Sequence, residues 1–246
     1  MRTLKARPQE AFTILELVVI LAVIALLILI RVPAMAGAAN HTKRAQCASN
    51  LRQFTLAMHI YAGENEDRLP NGFVGYWPWD VSADTGTFVE STGSKWTVMY
   101  CPGTSPRFSE ADNWNLYNLG GYRPLGYANT FAGNQNISST NLNPRLTPGA
   151  IQIGFNLYTT PAASQRVLLA DATISANGQN NSAFRYTYNY TYIPGGYSKG
   201  HLSPHLAGGF PAGGNVGMLD GHVEWRRFDQ MTPRTSQTST SPTFWW

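Results

Sequence analysis

The chain has 246 residues, 13% of them charged and 12% aromatic, with 23 glycines and 15 prolines. So few charges exclude a coiled-coil rod, and so many aromatic side chains exclude a disordered chain. The formal net charge of +4 falls to +2 once Arg2, Lys5, Arg7 and Glu10 near the start are set aside, too little and too dispersed for a nucleic-acid-binding surface.

Residues 1–11 are short, basic and broken by Pro8, and they read as a leader. From Phe12 to Ile30 only Thr13 and Glu16 interrupt the apolar sequence, and Leu17–Ile30 is an unbroken apolar run of fourteen residues. As a helix, Phe12–Ile30 would be about 28 Å long, enough for a bilayer core, with the basic leader on the cytoplasmic side. Glu16 is the anomaly, because a carboxylate within such a span costs a few kcal/mol. An α-amino group created by cleavage before Phe12 would supply its partner. An ordinary secretory signal, cut after Ala34-Met35-Ala36, is a second reading, and an uncleaved anchor a third. Glu16 serves neither.

The stretch Ala11-Phe12-Thr13-Ile14-Leu15-Glu16-Leu17 behind a short basic leader resembles the type IV prepilins, including the pseudopilins of type II secretion. That resemblance implies cleavage by a prepilin peptidase between Ala11 and Phe12, with N-methylation of Phe12. It implies that Glu16, the fifth mature residue, sets register against the amine of an adjacent subunit, and that Pro33 loosens or kinks the helix. Ala11 stands where the family usually has glycine. The implied protein is single-pass in the inner membrane over about 12–31, with an extracytoplasmic head. After assembly it forms a periplasmic or cell-surface filament. Its partners would be further copies of itself, the prepilin peptidase and the inner-membrane assembly machinery.

Beyond Pro33 the pattern stays helical. Cys47, Leu51, Phe54, Met58 and Tyr61 form one apolar stripe, and Gly63 is a good terminator. Cys47-Ala48-Ser49-Asn50-Leu51, Cys101-Pro102 and the run Gly213–Val223 are similar to prepilin-like proteins that end in an H-X9-DG domain. The histidine spacing departs from that name: Phe210 stands ten residues before Asp220, and the nearest upstream histidine is His205. The expected fold is α+β and pilin-like. One long N-terminal helix packs its second half on an antiparallel sheet, with loop-rich insertions. Its parts are a leader (1–11), a helix (12–64), a β-rich head (65–230) and a Ser/Thr-rich tail with an aromatic end (231–246).

Asp220-Gly221 predicts a two-residue hairpin turn that places Met218 opposite Val223 and Val216 opposite Trp225, all on one face. Further strands are predicted at Thr97–Tyr100, Ile151–Leu157, Val167–Ala170 and Tyr186–Tyr192. Cys47 and Cys101 cannot make a Cys-rich zinc site alone, but in an exported chain they could form one disulfide. His201, His205, His222, Asp171 and Asp220 are the metal-ligand candidates. Gly200 and Pro204 argue against a helical His-x3-His pair, so no transition metal is expected. Calcium on Asp171 and Asp220 stays open, without an Asp-x-Asp-x-Asp-Gly loop to support it.

The chain has no Gly-x-Ser-x-Gly, no phosphate-binding Gly-x4-Gly-Lys and no His-Glu-x-x-His, so it reads as a non-enzyme. Asp80, Asp84, Glu90, Glu110 and Asp112 read as solvated loop acids. Phe73, Tyr76, Trp77 and Trp79 either fill a small core or stack on sugars. The functional expectation is a structural pilin or pseudopilin subunit. The alternative is a membrane-anchored extracytoplasmic module that binds glycans or other polymers.

Overall fold

The computed structural model describes residues 12–72, 77–104, 114, 121–195, 197–235 and 242–246, without the side chains of 27–39 and 195–199. Ala11, Phe73, Tyr76, Glu110 and Asp112 lie outside the described residues. The chain divides into two compact units, one reaching Thr42 and the other covering Lys43–Trp246.

Helix α1 runs from Ile14 to Glu64, 51 residues, and continues through Pro33. Its start is a capping box. The Thr13 hydroxyl accepts from Glu16 N at 3.2 Å, while Glu16 Oε2 accepts from Thr13 N and from the Thr13 hydroxyl, both at 2.8 Å. Glu16 therefore has local partners that the sequence reading did not supply.

Among the described residues no helix is long and apolar enough to cross a membrane. This corrects the expected span at 12–31 and the single-pass, inner-membrane placement.

The expected architecture, a long helix laid on one antiparallel sheet, is also corrected. The body is β-rich, and its described strands are divided among one four-stranded and five two-stranded sheets. The strands are short because Gly, Pro and Asn interrupt them, so loops and aromatic clusters supply much of the core. Six strands position the site: β1 (Tyr127–Asn129), β2 (Val167–Asp171), β3 (Thr173–Ser175), β4 (Gly213–Met218), β5 (Val223–Arg227) and β6 (Thr243–Trp245). The four-stranded sheet has the order β5-β4-β2-β1, antiparallel throughout.

Within the second unit, Cys47, Leu51, Phe54 and Met58 are fully buried in a cluster with Tyr127, Leu168, Leu169 and Leu219. A Cβ on Gly217 would lie 2.6 Å from Thr55 Oγ1, so the glycine is what lets the helix backbone come this close. A second cluster gathers Ala128, Ala170, Val216 and Met218 with Trp79, Phe244 and Trp246.

The β4–β5 hairpin differs from expectation by one residue. Val216 pairs with Glu224 and Gly217 with Val223. The loop holds three residues, Leu219-Asp220-Gly221, closed by Met218 N to His222 O at 2.9 Å. Only Gly221 takes positive φ (92°), so a turn with two left-handed residues does not form. The shift divides the predicted face: Val216 and Met218 enter the second cluster, and Val223 packs on the first. Trp225 is instead covered by the Arg44 guanidinium, 3.7 Å above its ring.

Other elements follow local chemistry that hydrophobic patterning misses. Helix α2, Ala83–Ser91, was not foreseen, yet Ser82 caps it by accepting from Thr85 N at 3.1 Å. Thr97–Tyr100 falls largely in a 3-10 turn, Trp96–Met99, where Trp96 stacks on Trp114 and meets Tyr100 edge-on. Ser182–Thr187 is likewise 3-10, its start capped by Asn181. The aromatic end of the chain is buried: Phe244 pairs with Ile174 and Trp245 with Thr173 across β6 and β3.

Two predictions follow from this packing. Asp80, 2% exposed, accepts a hydrogen bond from Trp77 N, but burial pushes its carboxyl up to about 8 from an ordinary 3.8. The folded chain holds a proton there that the unfolded chain releases, so this group's contribution to stability is full below about pH 4 and falls as pH rises toward about 8. Asp80→Asn copies the protonated form and should match the parent at pH 4 while exceeding it at pH 8 in urea denaturation. Identical pH profiles would remove the assignment. Trp245→Ala should cost about 3–5 kcal/mol, read in the same assay, since Trp245 is fully buried and donates from Nε1 to Ser175 Oγ at 2.8 Å.

Candidate functional site

Four separated segments bring ligand-type side chains to one buried point. Cys47 comes from α1, Cys101 from the segment after the 3-10 turn, Asp171 from the end of β2, and His205 from the loop before β4. Their Sγ, Sγ, carboxylate oxygen and ring nitrogen all lie within 4.8 Å of one another. The cysteines are free thiols, and both are fully buried. The Asp171 and His205 side chains are 1% and 5% exposed.

Asp171 is the hub. Its Oδ1 accepts from Cys47 Sγ at 2.9 Å. Its Oδ2 accepts from Asn215 N at 2.6 Å and lies 3.3 Å from His205 Nε2. Cys101 Sγ lies 3.3 Å from the same His205 nitrogen and accepts from Gly103 N, also at 3.3 Å. The Tyr127 hydroxyl is 3.5 Å from Cys47 Sγ. His205 has a left-handed backbone (φ 53°), and the Trp225 ring meets its imidazole edge-on. Gly103 permits the closure over this ring: a Cβ there would sit 3.0 Å from His205 Cε1.

The electrostatics follow from burial and pairing. Burial alone would raise Asp171, but the charge and hydrogen bond of His205, with Cys47 and Asn215 N donating, hold it below its ordinary value. Burial works against protonated His205, yet Asp171 beside it brings it up to about 10. Burial, reinforced by Cys47 and by the charge of Asp171, pushes the Cys101 thiol well up.

The sequence candidates separate accordingly. Cys47 and Cys101, whose pairing the sequence left open, do come together. Asp171 joins them, but Asp220 does not: it sits at an exposed turn, where its Oδ1 accepts from His222 N at 3.1 Å and pairs with His222 Nδ1 at 2.6 Å. Among the described residues no metal-ligand group contains both Asp171 and Asp220. His201 is buried against Trp79, with ring centroids 4.3 Å apart. Trp79 is 2% exposed and packs on Phe244, so it offers no face to a sugar. Phe12 is 68% exposed and Pro33 lies inside α1.

Sequence reasoning missed the grouping itself, together with Tyr127 and Asn215. Cys47 and Asp171 are 124 positions apart, and Cys101 and His205 are 104 apart. No local spacing carries such a site. The available signal was a cysteine on a buried helix stripe, a position that leucine would fill at less polar cost.

Residues 40–102 match the model of a family described as "Protein of unknown function (DUF1559)". No curated protein and no solved structure matches the chain. The matched segment contains Cys47 and Cys101 and stops short of Asp171 and His205.

Proposed function

We infer that the chain is a structural subunit of the pilin or pseudopilin type, processed before Phe12 and acting by self-association rather than catalysis. One observation carries this reading. The described apolar side chains at the start of α1 are exposed in an unbroken series, from Ile14 (82%) and Leu15 (74%) to Leu26 (61%). A contiguous apolar surface of that kind calls for a partner. Matching helices of further copies are the partner that the motif Ala11-Phe12-Thr13-Ile14-Leu15-Glu16 suggests. A prepilin peptidase and an assembly machinery are the further partners of such a subunit.

The N-terminal residue and intact mass of the protein from its native cells test the reading. A chain that begins at methylated Phe12 is the expected result, whereas one beginning at Met1 or Gly37 overturns it. Assembly itself is tested at Glu16. Glu16→Ala should abolish filament formation, whereas Thr13→Ala, which removes the cap and keeps the carboxylate, should preserve it. Equal loss in both would reduce Glu16 to a helix cap.

A further inference from the structure

We propose that Cys47, Cys101, Asp171 and His205 form a closed, structural binding site for one zinc ion. The donor set fits: two thiolates, an imidazole nitrogen and a carboxylate oxygen are the ligand types that zinc takes in four-coordinate sites. The spacing fits too. Ligand bonds of about 2.0–2.3 Å at tetrahedral angles put donor atoms roughly 3.3–3.8 Å apart. Here the contacts among the four side chains are 2.9 Å (Cys47 to Asp171), 3.3 Å (Cys101 to His205) and 3.3 Å (His205 to Asp171). No donor atom is more than 4.8 Å from another. Changes of about 1 Å or less in donor separation would admit the ion.

The surroundings are those of a metal site rather than of an ordinary core. Each ligand is held by an outer contact: Cys47 by the Tyr127 hydroxyl, Cys101 by Gly103 N, Asp171 by Asn215 N, and His205 by the Trp225 edge. Such partners fix ligand orientation and raise affinity. The Asn215 bond orients the Asp171 carboxylate so that Oδ1 faces Cys47 and Oδ2 faces His205. Without a metal, this point of the core carries a buried ion pair and two thiols, a set that apolar side chains would replace with equal or better stability. Two thiols, an imidazole and a carboxylate at one buried point make a donor set suited to a borderline cation such as zinc.

The site is closed to solvent, so no position is open for substrate and the ion's role is to hold segments together. It joins α1, the Cys101 segment, β2 and the loop before β4, all within the second unit. Zinc coordination would make the fold of this unit depend on the metal.

The test uses the full chain, purified under reducing conditions, with zinc measured per chain and Co²⁺ then exchanged in. One equivalent of zinc and a thiolate-to-cobalt charge-transfer band with tetrahedral visible bands are expected. Removing zinc with a chelator should lower the melting temperature, and adding Zn²⁺ back should restore it. Tyr127→Phe, which keeps the ligands and loses one outer contact, should weaken zinc binding about tenfold in chelator competition. Cys101→Ser should lose the charge-transfer intensity in part or entirely, and Asp220→Asn should leave binding unchanged. A metal-free chain whose melting temperature ignores Zn²⁺ overturns the proposal. So does a mass two units low, read on chain isolated from its native cells without reductant and traced to a Cys47–Cys101 disulfide.

Discussion

The Asp171 carboxylate is the contact on which the second unit depends. It ends β2 in the middle of the four-stranded sheet and is almost wholly removed from water. A buried carboxylate persists only if its charge is met. Here it is met from several directions: by a thiol on α1, a backbone N–H on β4 and an imidazole in the loop leading to β4. The helix, the sheet and that loop are therefore tied through one side chain. Asn215 extends the tie, since its side-chain amide donates both to Asp171 and to the Arg44 carbonyl on α1.

Around that hub the sheet is covered on both faces. One face meets the second half of α1 and the loops near Tyr100 and Leu125, and the other meets Trp79 and the aromatic chain end. A sheet covered in this way needs apolar side chains on both faces. Every residue of β4 is buried, although four of the six are glycine or asparagine. Small residues occur where the helix or a ring comes close, and Val216 and Met218 fill the space where it does not. Two of the buried polar side chains are met largely by backbone carbonyls. Arg166 donates to Asn143 Oδ1 and to the carbonyls of Leu142 and Thr140 rather than to a carboxylate. Asn129 likewise donates to the carbonyls of Pro78 and Asp80.

What the sequence revealed depended on the range of the interaction. The helical stripe Cys47-Leu51-Phe54-Met58 was legible because its period is local and strong. The turn at Asp220-Gly221 was legible as a turn, but its register was not. The choice between two and three loop residues rests on whether Asp220 adopts positive φ, and it does not. Aromatic-rich segments such as Tyr186–Tyr192 were read as strands by propensity, yet Tyr186 and Tyr190 instead meet Phe228 edge-on. The candidate site was legible only in pieces: the cysteines, Asp171 and His205 were each noted, in different groups. Their meeting is a property of the tertiary fold, because no two of them share an element.

The close approach at Gly217 has a mechanical consequence. Thr55 sits in the notch that this glycine leaves in the sheet. Sliding the helix by one turn, about 5.4 Å, would bring Leu51 or His59 to the same notch, and either is too bulky to enter it. The contact works as a detent, fixing the axial position of this half of the helix on β4. Tension applied along this half of α1 would then be resisted by a steric interlock at Gly217 as well as by the hydrogen bonds that join Cys47 to Asp171 and Asn215 to Arg44.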